Sequence, residues 1–419
     1  MAVAELDLDA SGTPVAFRPA PGAPAPVPGD VYALVRVAGR PAATVLGRYE
    51  DGEDPAEVLA VLAAKRLADS AAPRTDAERL AAAGAPAPET APPPASVVVA
   101  TRERPDSLAR ALDSLLAQDH PDHELIVVDN APRTTATRDL VTGAYAGRVR
   151  YVREDRPGLA AAHNAGVAAA GGEVLAFTDD DVIADPRWLG ALAAPFAADP
   201  GLGCVTGLIL PARLTTPAQV LLESHGGFAK GFAPRLYDPA RPPADEPLFP
   251  FTAGSFGSGA NMAFRASALR RAGGFDPATG TGTPAKGGDD LYAFVAVLAA
   301  GHRLRYTPDA LVWHHHRETW RDLENQAYGY GAGLTAYLTA TLVRRPALLP
   351  ALLARLPRGL AHARTMTAER GAGGGDGVPG AHGTRHHPWP ASLSRLERRG
   401  MLYGPVGYLR ARLSRGASR

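Results

Sequence analysis

The sequence predicts an α/β protein. It should hold a Rossmann-type mixed sheet flanked by helices, with a small N-terminal α+β module and a helical C-terminal region. Three observations lead there. Between residues 95 and 320, short apolar runs alternate with segments of helical spacing. Several of those runs end in Thr, Asn or Asp, the pattern of strands whose carboxyl ends meet a ligand. The flanks on either side differ from this zone in composition.

Residues 1–94 open on a Pro/Ala-rich segment. The alternating stretch VYALVRVAGRPAATVLGRY predicts a hairpin, and DPAEVLAVLAAKRLADS predicts a helix. The run GAPAPETAPPPA reads as a semi-rigid linker. Within 95–320 the predicted strands are 96–100, 124–128, 148–152, 173–177 and 203–210. Leu108, Leu112, Leu115 and Leu116 follow helical spacing after Pro105. The run LAAAHNAGVAAA predicts a helix before the EVLAF strand. Residues 321–368 read as an apolar helical extension broken by Arg344, Arg345, Pro346 and Pro350. Residues 369–419 read as a Gly/His-rich linker and a basic tail. In that tail Arg395, Arg398, Arg399, Arg410, Arg412, Arg415 and Arg419 accompany a single acid, Glu397.

Bulk composition excludes several classes. At 419 residues with 46% hydrophobic residues, the chain can bury a sizeable core. With 44 basic against 43 acidic residues, a general nucleic-acid footprint is absent, so no nucleic-acid partner is expected. Cys204 is the only cysteine, which rules out an internal disulfide and fits a reducing compartment. The opening MAVAELDLDASG lacks the basic and apolar regions of a secretory signal. Residues 327–343 lack charges but are diluted by Gly, Thr and Tyr. A cytoplasmic protein is expected. Peripheral contact with the inner face of the plasma membrane, through 321–368 and the Arg-rich tail, is one reading of the flanks. A solvated terminus and a buried helical hairpin are the others.

The chemistry concentrates at Asp179, Asp180 and Asp181, which follow the apolar run VLAF and Thr178. Adjacent carboxylates repel, so placing them near a buried strand calls for a compensating cation. A hard divalent ion with oxygen ligands fits and can also bridge phosphates. A solvated acidic turn is the plainer alternative for a lone triplet. Asp129 ends the run ELIVVDN, where its carboxylate can accept a hydrogen bond from a base or ribose. Thr101 and Asn130 end strands in the same way, and Arg104 follows closely on the first strand as a further candidate donor contact. Asp289 and Asp290 follow the Gly-rich GTGTPAKGG and open a helical segment. Helix capping explains Asp289 as readily as chemistry does. Asp290 is the candidate general base for an acceptor hydroxyl, and the loop before it is suited to closing over a donor. In WHHHR, one of His314, His315 and His316, preferably His314, is a candidate metal or diphosphate contact.

Taken in order, SVVVATRERPDSLARALDSLLAQ, ELIVVDNAP, RPGLAAAHNAGVAAAGGEVLAFTDDDV, GSGANMAFRASALRRAGGFD and GGDDLYAFVAVLAAGHRLRYTPDALVWHHHR resemble the family 2 glycosyltransferases of the GT-A fold. The resemblance implies an inverting transfer, assisted by Mg²⁺ or Mn²⁺, from a nucleoside-diphosphate sugar to an acceptor hydroxyl. The acceptor could be a glycan, a lipid-linked glycan or a small molecule. It assigns Thr101 and Asp129 to the nucleoside side of the donor, and Asn164 to its vicinity. Asp179 and Asp181 match the DxD-type pair, with Asp181 the preferred metal ligand and Asp180 beside the donor. Asp290 matches the catalytic base. Asp289 stands where the family usually has Glu, a longer acid. Gly259 and Asn261 match the loop that shapes the donor-sugar and acceptor side.

Other classes fit less well. A nicotinamide dehydrogenase needs a Gly-rich turn after the first strand, and ATRERPDS has none. A P-loop is absent. The lysines Lys65, Lys230 and Lys286 do not follow strand-like runs, as receiver-type phosphoaspartate sites require. A nucleotidyltransferase remains the nearest enzymatic alternative, and a non-catalytic nucleotide-sugar-binding protein the other.

Overall fold

The structure is a computed structural model that describes residues 1–69, 92–225, 227–355, 357 and 389–416. Most of the expected Pro/Ala linker, the Gly/His-rich segment before residue 389, the end of the helical extension and Arg419 lie outside the described residues.

The opening segment differs from the expected lead-in. It forms two strands, which extend the expected hairpin into a four-stranded sheet. Strand β1 (Ala2–Leu8) pairs antiparallel with β2 (Pro14–Pro19) and parallel with β3 (Gly29–Val37). Strand β3 then pairs antiparallel with β4 (Arg40–Tyr49). Alternation along β3 has two destinations. Val31, Ala33 and Val35 pack towards the helix α1 (Pro55–Asp69), whose Leu59 and Ala63 are buried in the same cluster. Tyr32 and Leu34 point the other way and join Leu208, Leu210, Leu311 and Trp313 of the next domain. With both faces covered, an apolar run such as VYALV is what a strand in this position requires. At the same junction the buried Arg36 guanidinium lies 2.7 Å from Glu5 and 2.5 Å from Asp185.

The main sheet has nine strands. Its first half is β5 (Ala95–Thr101), β6 (His123–Asn130), β7 (Val149–Glu154) and β8 (Val174–Asp179), all mutually parallel in the spatial order β7-β6-β5-β8. Helices α2 (Pro105–Leu116), α3 (Ala136–Gly143) and α4 (Leu159–Ala169) make the crossovers. Leu108, Leu112 and Leu115 of α2 pack beside Val97 and Val99 on one face. On the other face, Gly166 of α4 sits directly over Val98, where any side chain would collide. Because β6 and β8 lie on opposite sides of β5, the chain reverses direction across the sheet there. A crevice opens at such a point beyond the strand ends.

The short β9 (Val182–Ala184) and helix α5 (Trp188–Ala198) lead into β10 (Leu202–Pro211), which is buried along its whole length. After helix α6 (Pro217–Ser224) and the short β11 (Arg235–Tyr237), β12 (Asn261–Arg265) enters antiparallel between β8 and β10. Helices α7 (Ala266–Ala272) and α8 (Asp289–Ala299) precede β13 (Arg303–His314), which runs parallel to β10.

Two long helices follow, α9 (Trp320–Arg344) and α10 (Ala391–Gly416). Gly331 of α9 meets the backbone of Glu397. Gly400 meets Tyr328 and Ala332, and Gly404 meets Ala332 and Thr335. The contacts advance in the same direction along both helices, so the pair is parallel and not a hairpin. This packing explains the uncharged stretch 327–343 and its small residues. Among the described residues no helix is long and apolar enough to cross a membrane.

Candidate active site

The site is built at the carboxyl ends of β5, β6, β8 and β13. Residues in register sit side by side there: Thr101 is paired with Asp129, and Ala100 with Asp179. Strand β13 delivers His314 beside Val182 of β9, one residue beyond the triplet.

The three aspartates have different surroundings. Asp180 accepts a hydrogen bond from Thr101 Oγ1 at 2.6 Å and is paired with Arg104. Asp181 lies 2.9 Å from Arg104, 3.4 Å from Arg317 and 3.4 Å from His314 Nε2. Asp179 keeps some solvent access at the end of β8. Single ligand atoms of Asp179, Asp181 and His314 all fall within 4.8 Å of one another.

Electrostatics follow from this arrangement. Burial, then the charge of Asp181, pushes the Asp179 carboxyl up to about 7. Burial likewise raises Asp180 to about 6, although Arg104 opposes it. Burial also works against ionisation of Asp181, but His314, Arg104 and Arg317 outweigh it and hold that carboxyl well below the usual range. The His314 imidazole is desolvated, yet Asp181 and Asp179 raise its pKa on balance.

A divalent cation fits this donor set. The buried Oδ1 of Asp181 has no hydrogen-bond partner, and two carboxylates with one imidazole can hold Mg²⁺ or Mn²⁺. Of the three histidines, only His314 joins the acidic pair. The His315 ring approaches Gly22 of the N-terminal module, and the His316 ring turns towards Glu223.

Asp129 is fully buried at the end of β6. Its Oδ2 accepts from Tyr151 Oη at 2.9 Å, while Oδ1 has no partner. Burial raises its pKa. A buried, open acceptor beside the crevice suits an N–H or O–H of a nucleoside. Asn130 instead bonds the backbone of Arg156 and Gly158, which shapes the turn before α4.

The other acidic pair opens α8. Gly288 precedes it in a left-handed conformation (φ 86°), with backbone atoms of Gly333 packed against it. This contact sets where the helix begins. Asp290 keeps some solvent access: its Oδ2 accepts from the Gly259 amide at 2.8 Å and its Oδ1 from the Leu291 amide at 2.8 Å. Burial and the neighbouring Asp289 push Asp290 up to about 6. Asp289 turns inward instead. It is 4% exposed, with Oδ2 3.2 Å from His163 Nδ1.

The two acidic centres are linked through β12 and His163. Asn261 pairs with Thr178, next to Asp179, and Gly259 lies just upstream of Asn261 and holds Asp290. His163, when protonated, favours the ionised forms of both Asp179 and Asp290. Tyr330 of α9 lies within electrostatic reach of Arg317 at the triplet and of Asp290. Lys230 is solvent-accessible, yet the protein around it lowers its pKa, and Asp290 opposes that shift.

Two expected donor contacts have their polar atoms engaged internally. Asn164 clamps the backbone of Phe275, donating to its oxygen at 2.8 Å and accepting from its amide at 3.0 Å. Asn261 is fully buried. It accepts from Trp188 Nε1 and donates to the oxygens of Leu208 and Ala310. Conversely, Arg317, Tyr330 and Lys230 at the crevice carry no sequence signal beyond the Arg that ends WHHHR.

Comparison with known proteins agrees with this geometry. Residues 96–272 match the family described as glycosyl transferase family 2, and residues 246–393 match glycosyl transferase family group 2. A pre-mycofactocin glycosyltransferase of Mycobacterium tuberculosis is 29% identical over 237 residues, covering 56% of this chain and 46% of the relative. A glucosyl-dolichyl phosphate glucuronosyltransferase of Haloferax volcanii is 25% identical over 233 residues, or 52% of this chain and 68% of the relative. A validoxylamine A glucosyltransferase of Streptomyces hygroscopicus is 37% identical over 121 residues, covering 27% of this chain and 26% of the relative. The chain thus spans about half the length of the first of these relatives. Among solved structures, a mannosyltransferase from Pyrobaculum calidifontis in complex with GDP-Man and Mn²⁺ aligns with a TM-score of 0.49 and 20% identity, over 83% of this chain and 94% of that one. With two overlapping family matches along a sheet that ends in these acids, residues 96–393 are those of a family 2 glycosyltransferase.

Proposed function

We propose that the protein is an inverting glycosyltransferase that uses a nucleoside-diphosphate sugar. The observation that supports this reading most is the link between the two acidic centres: Asp290 is held by Gly259, just upstream of Asn261, which pairs with Thr178 beside the Asp179–Asp181–His314 cluster. Asp129 and Thr101 would receive the nucleoside, and Arg104 and Arg317 would face the diphosphate. A divalent cation held by Asp179, Asp181 and His314 would offset the negative charge that builds on the departing diphosphate. Asp290, aimed by the Gly259 amide, would take the proton of the acceptor hydroxyl on the other side of the sugar. Its raised pKa suits a group that must hold that proton briefly.

The acceptor is proposed as a glycan, a lipid-linked glycan or a small metabolite. Helix α10 supports a cytoplasmic enzyme that works against anionic lipid. Leu402 (81% exposed), Val406, Leu409 and Leu413 (74% exposed) follow one helical stripe, and Arg398, Arg399, Arg410 and Arg412 are exposed on the same helix. An apolar stripe among cations is the pattern of a helix that lies in a membrane interface.

Incubation with a panel of nucleotide sugars and Mn²⁺ tests the reaction. Release of nucleoside diphosphate supports glycosyl transfer. Release of pyrophosphate from sugar phosphate and nucleoside triphosphate would favour the nucleotidyltransferase, and binding without turnover would favour a non-catalytic protein.

A further inference from the structure

Tyr32, Glu223 and His316 take no part in the reaction proposed above, yet they form a buried line from the N-terminal module to the acidic cluster. Tyr32 Oη lies 3.0 Å from Glu223 Oε1, and Glu223 Oε2 lies 3.2 Å from His316 Nε2. His316 Nδ1 is 3.0 Å from His314 Nδ1, and His314 Nε2 is 3.4 Å from Asp181. Tyr32, Glu223 and His316 are each no more than 2% exposed.

The order of protons along this line is fixed by valence. A carboxylate only accepts, so the Tyr32 hydroxyl and His316 Nε2 both donate to Glu223. A neutral His316 with its proton on Nε2 presents a lone pair at Nδ1. His314 must then carry its own proton on Nδ1 and donate it to His316. That leaves His314 Nε2 facing Asp181 and Asp179, as an N–H towards Asp181 in the metal-free site and as the lone-pair donor to a cation once one is bound. The opposite order would set the Nε2 lone pair of His316 against a carboxylate.

We propose that Tyr32, Glu223 and His316 are positioning residues that hold His314 as the Nδ1–H tautomer, with Nε2 free to bind a divalent cation, so that the N-terminal module tunes the cation affinity of the site. The inference rests on the reading of Asp179, Asp181 and His314 as metal ligands. Partners of this kind orient a ligating imidazole and raise its basicity.

The surroundings are built around the line. Helix α6 carries Gln219 and Glu223 one turn apart, and both reach His316: Gln219 Nε2 donates to its backbone oxygen at 3.0 Å while Glu223 takes its ring. A capping box with Thr216 fixes the start of that helix. Gly227 lies so close to the Glu223 carboxylate that a side chain there would displace it. The Phe228 ring stands 5.2 Å from that of His314 and 5.5 Å from that of His316, covering both. Burial and the charge of Glu223 raise the Tyr32 pKa, so its hydroxyl stays protonated and donates.

The test uses the full chain and Mn²⁺ alone, with bound metal measured by electron paramagnetic resonance and nitrogen coordination by spin-echo modulation. Glu223→Gln keeps the shape, but its amide can turn either face to His316. It should weaken Mn²⁺ binding about ten- to a hundredfold and reduce the nitrogen modulation. Tyr32→Phe should shift affinity in the same direction by less. His316→Leu should match Glu223→Gln, whereas His316→Asn, whose oxygen can accept from His314, should recover affinity. If Glu223→Gln and Tyr32→Phe bind Mn²⁺ as the parent does while His314→Ala does not, the positioning role is wrong and the metal site stands. If His314→Ala also binds as the parent does, the metal-site reading itself fails and this inference with it. Should His316→Leu not fold, Glu223→Gln decides.

Discussion

Nε2 of His314 lies 3.4 Å from Oδ1 of Asp181, a buried carboxylate oxygen with no hydrogen bond of its own. Leaving such an acceptor unmet costs about 1–3 kcal/mol or more for a charged group. A cation held jointly by these residues and Asp179 would remove that cost. Asp181→Ala should therefore lower Mn²⁺-dependent donor affinity by at least the roughly ten- to hundredfold seen when a supporting partner is lost. Calorimetric donor titrations with and without Mn²⁺ check this, and metal-dependent affinity retained in the variant would contradict it.

The same site should release protons when it takes up metal. Burial and Asp181 hold the Asp179 carboxyl at about 7, so below that pH it is protonated before metal arrives. Mn²⁺ binding at pH 6 should expel a proton and be weaker than at pH 8. Titration in buffers of different ionisation enthalpy measures the release. An equal heat in all buffers would count against Asp179 as a ligand.

Asp290→Asn should abolish transfer while leaving donor affinity nearly unchanged, because the amide can still accept from Gly259 but cannot take a proton. The parent enzyme needs the ionised form, and burial with Asp289 raises this carboxyl to about 6. Its kcat/KM should consequently fall as pH drops through about 6. A limb that stays in the ordinary carboxylate range would point to another base.

Asn261→Ala should act on stability. It strands the Trp188 indole N–H and two backbone oxygens inside the fold. At about 1–3 kcal/mol for each buried polar group left unmet, a loss of about 3 kcal/mol or more is expected in denaturant unfolding. A neutral effect on stability with a large loss of donor affinity would return this residue to the donor.

How much of this is legible from the chain alone depends on how local the signal is. The acidic triplet declares itself because a strand of buried residues, VLAF, runs straight into three like charges. The sheet is equally plain, since β5, β6, β8 and β10 are short apolar runs separated by helical spacing. Strands β1 and β2 are hidden by Ala and Pro, residues that do not favour strands. Their pairing comes from contacts with β3. Glu223, Arg317 and Tyr330 are hidden for a different reason. Each sits on a helix or loop where a charge or phenol ordinarily faces water; the tertiary fold turns Glu223 inward and brings Arg317 and Tyr330, which stay exposed, near the acids.

The junction between the two sheets should be sensitive to charge removal. Arg36→Ala would leave Asp185 and Glu5 buried with less compensation. Losing one member of a buried pair costs about 3–5 kcal/mol. Chemical denaturation should show that loss, and a variant within error of the parent would mean that Arg18, the other partner of Glu5, suffices.

Leu402→Asp with Leu413→Asp should remove binding to vesicles that contain anionic lipid, measured by co-flotation, and leave activity on a water-soluble acceptor intact. Unchanged flotation would separate helix α10 from any lipid surface.

Strand β12 runs against its neighbours β8 and β10, so the chain enters the sheet at the edge where they leave it. That edge therefore gains a main-chain donor, Gly259, which side-chain drift cannot delete. Proline alone lacks the N–H. The aim of the reacting carboxylate is thus insulated from most genetic change at its own anchor, and acceptor preference is free to evolve around a fixed axis.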